Sequence, residues 1–68
     1  MTTLQMHALA SVHTDLREVE FAFCSRRLKF ETINILKGIE DEIMNNPSEV
    51  RLEELLLNAQ EALDLVSQ

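Results

Sequence analysis

Apolar side chains recur at steps of three and four residues along almost the whole chain, with only one Gly and one Pro to interrupt them. That spacing lines up side chains on one face of a helix, whereas a strand requires alternation. The scarcity of Gly and Pro, together with the absence of Trp and Tyr, argues against turn-rich β architecture. The expected fold class is therefore all-α. Residues 1–68 read as a single small helical domain, because 68 residues suffice for one modest core.

The clearest local signal is the run Asn45-Asn46-Pro47-Ser48-Glu49. Asn45 suits the left-handed conformation that ends a helix. Asn46 suits an N-cap, Pro47 the first helical position, and Glu49 the third. The run predicts a tight turn at 45–47 between two antiparallel helices. Beyond it, Leu52, Leu56, Ala59, Leu63 and Val66 step by 4, 3, 4 and 3. Leu55 and Ala62 widen this seam into a core-facing stripe, while Leu57 points nearly opposite and Leu65 lies off it.

Before the turn, residues 3–44 read as a long helix with Gly38 as its only weak point. Its apolar stripe does not stay in place. Leu9, Val12, Leu16, Val19 and Phe23 form one seam, which Phe30 continues, but Arg26 breaks it. Leu28, Ile35, Leu36, Ile39 and Ile43 form a second seam, ~160–180° around the helix from the first. Such a helix either serves two partners or is interrupted near Cys24 to Arg27. A closing helix of about 20 residues spans ~30 Å and covers only the stretch from about Leu28 to Met44. Residues 3–24 then either continue the first helix or fold back as a short separate one, with Ser11 or Thr14 as its cap. With no Gly or Pro to mark a second turn, association with another chain is the preferred reading. The candidate partner-binding face is Leu9, Val12, Leu16, Val19 and Phe23. Anchors at this spacing suit a helix docked in an apolar groove.

Charge and chemistry narrow the function. Twelve acidic against six basic side chains give a net charge of −6. Nucleic-acid binding draws its affinity from cations, and the only basic cluster is Arg26, Arg27 and Lys29, so nucleic acid is not an expected partner. An anionic membrane surface is disfavoured on the same ground, and no apolar run approaches the ~20 residues of a bilayer span. One cysteine permits no internal disulfide, and with two histidines it gives no zinc-finger spacing. The free Cys24 and the absence of a signal-like opening suggest a reducing cytoplasm. His13 and Glu20 lie two turns apart on one face, yet no Glu-x-x-His pair accompanies them. The carboxylate runs Glu40-Asp41-Glu42 and Glu53-Glu54 read as solvated helix surface. No catalytic constellation, metal site or cofactor motif emerges, so the chain reads as no enzyme and as holding no cofactor. A chain this small commonly needs a supplement to its core. Here that supplement is expected to be another protein chain, either a heterologous chaperone or a second copy, in a homo- or hetero-oligomer such as a dimer.

Asn46-Pro47-Ser48-Glu49, followed by Leu52, Leu56, Ala62-Leu63 and Leu65, resembles the small needle-subunit co-chaperones of bacterial type III secretion systems. These are short cytoplasmic chains with a brief opening segment, a long helix, a tight turn and a closing helix. The matching stretch covers about a third of the chain, and Val50 stands where many members carry an aromatic. The resemblance implies a heterodimer with a larger helical-repeat chaperone, the pair keeping a needle subunit from polymerising. From the residues alone, the function class is a protein–protein interaction module, a co-chaperone or adaptor. The alternative is a self-assembling helical bundle.

Overall fold

The structure, a computed structural model, describes residues 2–67. Among them are three α-helices of similar length, α1 (Thr3–Glu20), α2 (Arg26–Met44) and α3 (Glu49–Val66), and no strand. Each helix touches both others. The result is an up-down-up three-helix bundle of 35 × 16 × 16 Å, in which α1 and α3 run parallel and α2 antiparallel to both. The all-α expectation and the antiparallel pairing of the last two helices hold. The long first helix does not: the chain turns at Phe21–Ser25, and α1 packs back on the hairpin.

That fold-back corrects the expectation that the first stripe lacks a mate in its own chain. Val12 and Val19 are fully buried, in one core with Ala8, Leu36, Ile39, Ile43, Leu52, Leu55, Ala59, Leu63 and Val66. Leu9, Leu16, Leu28, Ile33 and Leu56 flank it, half-buried. The physical reason is the width of the stripes on α2 and α3. A stripe a third of the circumference wide meets two neighbouring helices, not one. The groove the two make together receives α1.

Each helix has a side-chain N-cap. Thr2 and Gln5 form a capping box: the Thr2 hydroxyl accepts from the Gln5 N–H at 3.1 Å, and Gln5 Oε1 accepts from the Thr2 N–H at 3.0 Å. Ser25 accepts from the Leu28 N–H and Ser48 from the Arg51 N–H. The expected caps Ser11 and Thr14 lie inside α1, where the Thr14 hydroxyl donates to the Ala10 carbonyl. At the second turn the expected positions shift along the chain. Asn46, not Asn45, takes the positive φ, at 54°. A residue there cannot also be the extended N-cap, so the cap falls to Ser48 and Pro47 stays outside the helix.

Candidate interaction surface

The two ends of the bundle are built differently. At one end, Gln5 is buried and its amide reaches across the bundle. Nε2 donates to the Ile43 carbonyl at 3.0 Å and to Asn46 Oδ1 at 2.9 Å. Ile43 lies in the last turn of α2, where a carbonyl has no partner within its own helix. Arg51 of α3 holds the Glu42 carboxylate through both Nε and Nη2, and Nη1 reaches Glu54 at 2.9 Å. The hydrogen bond from Arg51 lowers the Glu42 pKa below the ordinary carboxylate range. This end, where α1 begins and α2 turns into α3, is closed by polar contacts, with Met6 and Met44 each left 58% exposed beside them.

The other end carries the chain's aromatic residues. In the Phe21–Ser25 connection the small residues Ala22 and Cys24 turn toward the core, while Phe21 and Phe23 face outward, 80% and 104% exposed. Phe30, in the second turn of α2, is 65% exposed. All three phenylalanines of the chain are thus in water at one end. Single exposed leucines are ordinary, but a chain that puts its small loop residues inside and its largest apolar ones outside leaves an informative patch. The turn is held mainly by short-range bonds, among them the one the Ala22 N–H donates to the Val19 carbonyl at 3.2 Å. Lys29 Nζ donates to the Glu20 carbonyl at 3.0 Å, and the Phe21 N–H donates to the Arg17 carbonyl at 3.3 Å.

Below the aromatic end, α1 and α2 enclose a groove of about 250 Å³ lined by Leu16, Arg17, Glu20, Ile33 and Lys37. The charge is polarised along the molecule. Residues 17–37 carry five cations against three carboxylates, and the rest of the chain one cation against nine. The open end is therefore locally basic on an acidic protein.

Of the five residues singled out by sequence, Val12 and Val19 lie in the core and Leu9 at its margin. Leu16 is half-buried on the groove wall, and Phe23 is exposed at the tip. The structure does not bring the five together on one free face. Phe30 is also off the core, because Phe23 and Phe30 extend the α1 seam only if the helix continues past Glu20. Phe21 was missed by sequence reasoning; it falls off the seam, and only the helix end at Glu20 makes it a tip residue. His13 lies against Glu40 at 2.7 Å rather than pairing with Glu20. Among the described residues no three His, Cys, Asp or Glu side chains converge as a metal site, and no helix is long and apolar enough to cross a membrane. No family model, curated protein or solved structure matches the chain.

Proposed function

We propose that this protein is a protein–protein interaction module, a co-chaperone or adaptor that engages another chain through its open aromatic end. The observation that carries the reading is the exposure of Phe21, Phe23 and Phe30, the chain's three phenylalanines, together at one end of the bundle. Aromatic side chains supply large apolar contact area with few rotatable bonds and are enriched at interface cores. The contact face is thus moved from the α1 stripe to the tip. The chain is read as a binding protein rather than an enzyme, and the free Cys24 supports a reducing compartment such as the cytoplasm.

The likeness to type III needle-subunit co-chaperones gives this reading one concrete candidate, a larger helical-repeat chaperone. The turn and closing helix agree with that layout, while an 18-residue α1 departs from its brief opening segment. Co-expression with such a chaperone and affinity capture tests the reading. The wild-type chain is expected to retain the partner, and Phe21→Ser/Phe23→Ser/Phe30→Ser to lose it at unchanged helicity by circular dichroism. Leu57→Asp, on the far side of α3, is expected to keep it. Capture that survives the triple change while failing with Leu57→Asp refutes the tip as the binding face.

A further inference from the structure

The α1–α2 groove and the outward ridge of α3 each leave apolar side chains uncovered, and their charges are opposite. On the groove, Leu16 and Ile33 are half-buried between the exposed cations Arg17 and Lys37, and the one carboxylate on the wall, Glu20, leaves it with a net positive charge. Neither cation forms an ion pair among the described residues. On α3, Val50, Leu57 and Leu65 are 66%, 60% and 54% exposed. Glu53 and Glu61 stand beside them, exposed and unpaired among the described residues, and Asp64 meets only the neutral Gln60 amide.

We infer that the groove is the docking site for a second copy of this chain, whose α3 ridge seats between α1 and α2 near Phe30. The inference rests on the interaction-module reading and names one occupant for the groove below the open end. Three helices in mutual contact form a triangle, so the α1–α2 groove faces away from α3. Groove and ridge therefore lie on opposite sides of one molecule. A contact between them is heterologous, and each added copy presents a fresh groove or ridge. The assembly grows with concentration instead of stopping at a two-fold dimer. A foreign acidic helix would satisfy the groove and leave the ridge uncovered; a second copy covers both. The net charge of −6 opposes approach at long range. At about 0.15 M salt, however, screening within ~8 Å leaves the local cation–carboxylate contacts in control.

Sedimentation velocity over a concentration series tests this. The wild-type weight-average mass is expected to rise past that of a dimer. The groove variant R17E/K37E and the ridge variant E61K/D64K are each expected to associate about 10–100-fold more weakly, since like charges then face each other. An equimolar mixture of the two restores opposite charges at every joint and is expected to reassemble. All four positions are exposed, so circular dichroism should report unchanged folding. A wild-type chain that stays monomeric to its solubility limit overturns the inference. So does a closed dimer indifferent to both reversals, or a mixture that stays dissociated. A monomeric wild type whose tip variants still lose the chaperone refutes self-docking alone; self-docking chains whose tip variants keep it refute the chaperone-binding tip alone.

Discussion

The two connections of this bundle are nearly equal in length and opposite in character. Asn45–Ser48 is tied to α1 by Gln5, to α3 by the Ser48 cap, and is flanked by the Glu42–Arg51 pair. Phe21–Ser25 holds two inward small residues, the Ser25 cap and a lysine tether, and displays two phenylalanines. The contrast separates two demands on a small domain. Fixing the register of three helices needs polar contacts made once, at one end. Presenting apolar surface to another chain needs an end those contacts leave open.

The largest test of the contrast exchanges side-chain size for position. Leu52, at the start of α3 beside the closed end, is 2% exposed. Leu52→Ala should destabilise by about 2–5 kcal/mol, the transfer loss plus the cavity left behind. Phe23→Ala removes a larger side chain from the open end and should change stability by no more than about 0.5 kcal/mol. Urea denaturation of dilute protein gives both values. A cost above ~1 kcal/mol for Phe23→Ala would mean that the tip is packed in solution.

The sequence was most legible where punctuation and periodicity agree. Asn45 to Ser48 announced a turn, and its register slipped only because two adjacent asparagines and a following serine compete for the same two roles. The α3 stripe agrees at Leu52, Ala59, Leu63 and Val66 and in the exposure of Leu57 and Leu65, but its centre is rotated: Leu55 is buried and the expected seam residue Leu56 is half-buried. The α1–α2 turn was hidden because Phe21–Ser25 contains neither Gly nor Pro. A helix also ends where its stripe ceases to find a groove, and such an ending leaves no mark on local composition. The signs present were the break at Arg26, the half-turn offset between stripes and Ser25 as a cap. Counting residues through a turn as if the helix continued assigned Phe23 and Phe30 to the wrong face. The open end could not be located until the end of α1 was known.

A smaller test compares one side-chain tether at each end, Gln5 at the closed end and Lys29 at the open one. Gln5→Ala removes half of a capping box and leaves the Ile43 carbonyl without this donor. It should cost about 1–3 kcal/mol, the range for a buried polar group deprived of its partner. Lys29→Ala removes the corresponding tether at the open end, where the contact is exposed, and should fall within about 0.5 kcal/mol. Amide hydrogen exchange sharpens the comparison. In Gln5→Ala, protection is expected to fall in the first turn of α1 and the last turn of α2. If Lys29→Ala costs more, the two ends have been assigned the wrong way round.

The smallest effect lies in the sign of two carboxylates. Asp15, in the half of α1 nearer the open end, has its pKa raised, first by burial and then by the Glu18 charge. A folded pKa above the unfolded one means that ionisation opposes folding. The favourable contribution is complete below the unfolded value and is lost as pH rises through the folded one. Asp15→Asn should therefore raise the melting temperature at neutral pH and lose that advantage near about pH 3, below the ordinary carboxylate range. Glu42, at the closed end, runs the other way. Its lowered pKa contributes stability above the unfolded value that disappears as pH falls through the folded one. Glu42→Gln should lower the melting temperature at neutral pH, by a small margin because the pair is exposed to solvent, and the difference should fade on acidification. Paired thermal melts at the two pH values read out both signs. Shifts of the same sign at neutral pH would show that the charges at the two ends do not work in opposition, since one fixes the fold and the other burdens it only if the signs differ.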